Sequence, residues 1–214
     1  MSAGSAHWDA AYAQGETTRS WFQEQAAGSL RLLGDAGVPS TASVLDVGGG
    51  AARFVDGLLA RGHHDVTVLD VSPGAIELAR RRLGRAADHV NWIEADLLDW
   101  QPGRRYDVWH DRALLHFLTG DGERRRYVEL LDAATEPGSV AVLATFAPDG
   151  PDHCSGLPVL RYAAADLEAL LGAHWQVIRT DREEHRTPGG AGQPFTWIVA
   201  RRKSSDMGTF GRLT

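Results

Sequence analysis

The sequence predicts an α/β protein built on a doubly wound, mostly parallel sheet with helices on both faces. Three observations predict it. The stretch SVLDVGGGAARFVDGLLARG, residues 43–62, runs an apolar strand into three glycines and then into a helical pattern. From there strand and helix patterns alternate, as they do in βαβ units. The last two strands follow each other with no helix between them, which places an antiparallel hairpin at one edge.

Taken in order, residues 1–19 are small and polar, with Trp8 and Tyr12 as isolated aromatics. Residues 20–36 carry Phe22, Ala26, Leu30 and Leu33 at helical spacing and predict a helix that GVPS ends. SVLDV is the first strand, and residues 52–60 form a helix closed by Arg61 and Gly62. DVTVLDV is the second strand. Pro73 opens the helix PGAIELARRRL, because proline fits a first helical turn. VNWIEADL and YDVWHDR are the third and fourth strands. GERRRYVELLDAATEPG is a helix stopped by Pro137 and Gly138, and its basic run reads as a solvated helix start. SVAVLATF is the fifth strand and AAADLEALLGA another helix. WQVIRTDREEH and PFTWIVARR are the hairpin strands, joined by the turn RTPGGAGQ. Residues 203–214 have no period and predict a mobile tail. The reading is therefore one domain over residues 20–202, preceded by an N-terminal segment, 1–19, that is a candidate lid.

Composition narrows the function classes. The 214 residues are 43% hydrophobic and 23% charged, enough for an ordinary globular core. A net charge of −6 weighs against a nucleic-acid backbone as the main partner. Cys154 is the one cysteine, so no disulfide framework forms within the chain, and a reducing compartment is expected. The N-terminus lacks a basic stretch followed by an apolar one, and no run approaches membrane-spanning length. The expectation is a soluble cytoplasmic protein.

The glycine turn asks which ligand it holds. Gly48 and Gly50 give a G-x-G, but Arg53 stands where the dinucleotide fingerprint wants its third glycine. Asp46 precedes Gly48 by two residues. Its carboxylate repels a pyrophosphate and attracts an ammonium or sulfonium group. Asp70, followed by Val71, ends the second strand twenty residues after Gly50 and suits two ribose hydroxyls. Asp96 ends the third strand as an acceptor for an adenine amino group, with Leu97 lining the base. Positive charge, ribose and adenine together describe S-adenosylmethionine. Each acid also has a structural use: Asp46 as a turn cap, Asp70 as a cap for the following helix, Asp96 as a solvated loop acid.

VLDVGGG, VTVLDVS, WIEADLLDW and YDVWHDRALLHFL resemble the Rossmann-like class I methyltransferases that use S-adenosylmethionine, over roughly residues 20–202. That resemblance implies the strand order 3-2-1-4-5-7-6 with strand 7 antiparallel. It also implies that cofactor and substrate meet over the C-terminal strand ends. A narrower likeness is to small bacterial methyltransferases with DRAxxHFL and CSGLPVxRY segments, which are similar to lysine methyltransferases of the citrate-synthase and elongation-factor type.

Methyl transfer mainly requires alignment of nucleophile, methyl and leaving sulfur. A general base is needed only for a protonated, weakly acidic nucleophile. The fourth strand ends at His110, Asp111 and Arg112. His110 is the first candidate base, with Asp111 and His116 beside it as catalytic candidates; His116 lies four residues after Arg112, which would share its helical face. Against this, His110 would merely line the methionine end of the cofactor, and Asp111 and Arg112 would pair to hold the loop. Candidate substrate contacts are Arg112, Cys154, Arg161, Tyr162 and His185. Cys154 fits buried packing as well, and His185, with Arg186 and Gln193, fits a plain hairpin. Trp21 is a candidate to stack on the cofactor, or else packs with Phe22 in the core. His153 and Cys154 are too few ligands for a metal site, so none is expected.

These readings converge on a methyltransferase that turns S-adenosylmethionine into S-adenosylhomocysteine while methylating a sulfur, nitrogen or oxygen atom of a small molecule. A protein lysine methyltransferase, with Asp149, Asp152 and Asp111 forming an acidic channel, is the alternative. A cofactor-binding protein without catalysis is another, and Asp46 and Arg53 disfavour a dehydrogenase.

Overall fold

In the computed structural model, residues 4–13 and 15–204 are described. The central strands are buried along most of their length because both faces are covered. β1 (Val44–Val47) and β2 (Val66–Asp70) are buried at every position. β3 (Val90–Glu94) lies at the sheet edge and is buried only at Val90. β4 (Val108–Arg112) and β5 (Val140–Phe146) complete the parallel part. Two long strands, β6 (Trp175–Arg186) and β7 (Gly192–Arg202), form the hairpin. The order is β3-β2-β1-β4-β5-β7-β6, with β7 antiparallel to both neighbours. This is the order that the resemblance implies. A separate two-residue ladder joins His153–Cys154 to Leu157–Pro158 within the long segment after β5.

The sheet divides two cores by residue parity. Val44, Val66, Val68, Val108, Val140 and Val142 face one side, where they meet α2 (Ala27–Asp35) and α3 (Phe54–Ala60). Leu45, Leu69, Trp109, Ala141 and Leu143 face the other, against α5 (Asp121–Ala133) and α6 (Ala164–Leu171). α4 (Pro73–Leu83) starts where the sequence says: Ser72 caps it by accepting the Ala75 N–H at 3.0 Å, and Pro73 takes the first turn. Gly84 closes it at φ +56°.

Two local expectations are corrected. The helix expected over 20–36 covers only 27–35, because Trp21 and Phe22 turn inward to a cavity instead of continuing a helical face. Residues Ser5–Tyr12 form a helix, α1, that the sequence does not announce. None of its residues is fully buried, so it carries no apolar stripe to read. Of the expected tail, residues 205–214 lie outside the described residues. Among the described residues no helix is long and apolar enough to cross a membrane.

Candidate active site

Register places the site. β1 and β4 pair in parallel with Asp46 opposite His110. Side chains at every second residue share a face. His110 and Arg112 therefore lie on the face of Asp46, and Asp111 lies on the other. Asp46 Oδ1 and His110 Nδ1 are 2.6 Å apart, and the carboxylate can only accept, so Nδ1 carries the proton. In the neutral ring Nε2 then accepts from the Ser29 hydroxyl at 2.9 Å. Phe54 stacks on the imidazole at 3.9 Å. The chain Asp46–His110–Ser29 thus holds one tautomer, with the unprotonated nitrogen on the far side from the acid.

The glycine turn follows β1. Gly48 has φ +66°, and a Cβ there would stand 2.7 Å from Leu114 Cδ1. A Cβ on Gly49 would collide with the Asp46 carboxylate. At Gly50 a Cβ would come 2.9 Å from Asp70 Oδ2 and 3.2 Å from the Tyr12 hydroxyl. The glycines leave open the space that these groups surround.

Asp70 is almost fully buried, and its Oδ1 accepts the Ser72 N–H at 2.8 Å. Burial pushes its carboxyl up to about 7, with the charges of Asp46 and Asp9 adding to the rise. Tyr12 is pushed up by its own burial first and by the Asp70 charge second.

Above the strand ends lies a roof of α1 and residues 15–26. Asp9 ties it to α4 by accepting from the Ser72 hydroxyl at 2.6 Å and the Gly74 N–H at 3.1 Å. Glu16 ties it to Arg53 at 3.1 Å and Arg82 at 2.7 Å. Trp21 Nε1 donates to the Tyr12 hydroxyl at 3.2 Å, and Trp8 packs edge-on against both Trp21 and Phe117. The cavity below is lined by Asp46, Gly48, Asp70, Val71, Asp96 and Leu97 at one end. Trp21, Phe22, Gln23, Arg112, Phe117 and Cys154 line it as well. Trp21 therefore faces the cavity and also packs against the core.

Several expected site residues lie elsewhere. Asp111 accepts from the Leu114 N–H, the Leu115 N–H and the Tyr127 hydroxyl, on the sheet face opposite Asp46 and His110, and does not line the cavity. Burial raises its carboxyl to about 6. It does not pair with Arg112, because consecutive strand residues point apart. His116 does not share a helix with Arg112: it sits in a short 3₁₀ turn, Leu115–Phe117, while Arg112 ends β4. The His116 ring is wholly buried against Phe117 and Phe146, and burial lowers it to about 3. Tyr162 belongs to the core across the sheet, and burial raises its hydroxyl to about 12. Arg161 donates to the Gly150 carbonyl at 3.3 Å and does not line the cavity. His185 lies 2.7 Å from the Ser20 carbonyl, bracing the roof from the hairpin. Cys154 does line the cavity, and burial lifts its thiol to about 11, which keeps it protonated and unreactive.

Ser29 and Gly49 escape the sequence reading. Ser29 is a polar residue on the apolar stripe of α2, between Ala26 and Leu33, and that misplacement is the signal by which it is found.

The residues present fit S-adenosylmethionine. Three carboxylates and a histidine at the strand ends supply acceptors for an amine, a sulfonium and two hydroxyls. Leu69, Val71, Leu97 and Leu98 supply apolar walls for a flat base. The gap that a Cβ at Gly50 would fill lies against Asp70, where a ribose needs room.

Comparison with known proteins agrees. Residues 44–138 match the family model described as a methyltransferase domain. The mouse (Mus musculus) EEF1A lysine methyltransferase 2 is 37% identical over 114 residues, covering 49% of this chain and 46% of that protein. Nodulation protein S of Rhizobium tropici is 30% identical over 124 residues, covering 58% and 51%. The chain thus spans about half the length of the curated relatives it matches. A Burkholderia thailandensis 1,6-didemethyltoxoflavin-N1-methyltransferase, solved with bound 1,6-didemethyltoxoflavin and S-adenosylhomocysteine, superposes with a TM-score of 0.71 at 22% identity, over 93% of this chain and 88% of that one. Residues 44–138 thus carry the match to a methyltransferase domain, and the strand order is that of the Rossmann-like methyltransferase fold.

Proposed function

We propose that the protein methylates a sulfur, nitrogen or oxygen atom of a small molecule at this cavity. The enclosure carries the proposal. The roof is tied down by Asp9, Glu16 and Trp21, and its inner surface is aromatic, which suits a small acceptor held beneath it. Bound S-adenosylmethionine supplies an electrophilic methyl carbon. Asp46, Gly48, Asp70, Asp96 and Leu97 would hold it. The roof excludes water and fixes the acceptor in line. His110 Nε2, once freed from Ser29, accepts the proton of a nitrogen or oxygen nucleophile, while Asp46 steadies the resulting imidazolium. A thiol acceptor needs this help least.

The likeness to the lysine methyltransferase favours a second reading, a protein lysine acceptor. Its acidic channel has little support. Asp149 pairs with Arg182 at 2.7 Å and Asp152 with His153 at 3.0 Å, and neither aspartate lines the cavity. Methyl-labelled S-adenosylmethionine, the purified protein and a cell extract split into small-molecule and protein fractions test the two. Label in the small-molecule fraction is expected. Label on protein would favour lysine, and no label with S-adenosylhomocysteine binding intact would leave a cofactor-binding protein.

A further inference from the structure

Arg112 is a buried cation with no acid in hydrogen-bond contact, although the charge of Glu183 acts on it from nearby. Its Nη1 donates to the Trp21 carbonyl at 3.2 Å, and its Cζ stands 4.6 Å from the centre of the Phe195 ring. Its Nε and Nη2 are buried and have no hydrogen-bond partner. Those two nitrogens form one edge of the guanidinium, the edge that binds a carboxylate through two parallel N–H···O bonds. Leaving such an edge dry and empty is costly. The nearby acid spends its hydrogen-bonding oxygens on other donors. Glu183 accepts from Gln23 at 2.7 Å and from Trp197 at 2.9 Å. The other arginine lining the cavity, Arg53, is neutralised by Glu16. One guanidinium edge with two unpartnered donors therefore remains, on an arginine that lines the cavity with Cys154, Trp21 and Gln23.

We infer that the acceptor carries a carboxylate that docks on the Nε/Nη2 edge of Arg112, so that this residue selects anionic acceptors and rejects cationic ones such as a lysine side chain. The inference rests on the small-molecule reading. A single cation with two coplanar donors matches a carboxylate better than a phosphate dianion, which calls for more positive charge. The cofactor's own methionine carboxylate is the other source of the same chemistry.

The test titrates benzoate, benzamide and benzylamine into the full-length protein saturated with S-adenosylhomocysteine, following tryptophan fluorescence. Benzoate is expected to bind saturably and at least about tenfold more tightly than either neutral or cationic analogue, a gap of about 1.4 kcal/mol. Arg112→Gln should abolish that preference while S-adenosylhomocysteine affinity, measured by calorimetry, stays within about twofold. Arg112→Lys should restore it only in part, since it keeps the charge and loses the edge. Equal binding of the three probes, or no saturable benzoate binding at all, overturns the inference. Loss of S-adenosylhomocysteine affinity in both folded variants, with benzoate unaffected, assigns Arg112 to the cofactor and overturns it too. Failure of the unmutated protein to bind S-adenosylhomocysteine would instead sink the methyltransferase reading beneath it.

Discussion

At the scale of residues, the carboxyl of Asp70 has its pKa at about 7, and its proposed task of accepting two ribose hydroxyls is best done as a carboxylate. The sign follows from the raised value. Below pH 7 the group is mostly protonated in the free protein, and a ligand that prefers the ionised form must first displace that proton. Affinity for S-adenosylhomocysteine should therefore rise between about pH 6 and pH 8 and level off above, by linkage. Asp70→Asn should bind about tenfold or more weakly at pH 8 and lose the slope. Calorimetry at four pH values in wild type and variant checks this; a slope retained in Asp70→Asn would assign it to another group. His110 shows the same dependence of role on surroundings: its tautomer is set by Asp46 across the sheet and its far nitrogen by Ser29.

At the scale of elements, α1 matters more than its sequence suggests. None of its residues is fully buried, so beside the packing of Trp8 the roof is held by polar ties, Asp9 in mid-helix to α4 and Glu16 beyond the helix to Arg53 and Arg82. Glu16 is mostly shielded, and each arginine it binds contacts the glycine-turn region: Arg82 also donates to the Ala51 and Ala52 carbonyls. Glu16→Ala should remove about 1 kcal/mol from the closed roof. S-Adenosylhomocysteine should then dissociate roughly fivefold faster. Stopped-flow fluorescence reads this directly from Trp8 and Trp21; an unchanged rate would mean that Glu16 does not hold the roof.

At the scale of the whole molecule, the sheet separates chemistry from support. The cavity sits over the strand ends, where Asp46, His110 and Arg112 reach it from one face and Leu69, Leu97 and Leu98 from the other. On the other face, Asp111, Tyr127 and Trp109 form a buried chain, with Tyr127 donating to Asp111 at 2.8 Å and accepting from Trp109 Nε1 at 3.0 Å. Tyr127→Phe strands both partners and should cost about 1–3 kcal/mol of stability. For a chain of this size that lowers Tm by roughly 2–4 °C per kcal/mol. Because the damage lies across the sheet, cofactor affinity should hold. A thermal-shift assay beside calorimetry checks both halves, and a large loss of binding would refute the separation.

The sequence alone determined the strand order's ingredients and the three acids, Asp46, Asp70 and Asp96, that line the cavity. Alternating apolar strands, the glycine turn and the strand-end acids are local patterns, and each acts through its own backbone geometry. Period-two alternation even contained the fate of Asp111, since neighbours of His110 in a strand must face away from it. The tertiary structure alone decided what closes the site. Ser29 meets His110 across 81 residues, Asp9 meets Ser72 across 63, and Arg112 is enclosed by Trp21 from 91 residues away. The short helix that supplies the roof has no stripe to betray it. Contacts of that range depend on how the layers pack, and no spacing along the chain encodes them.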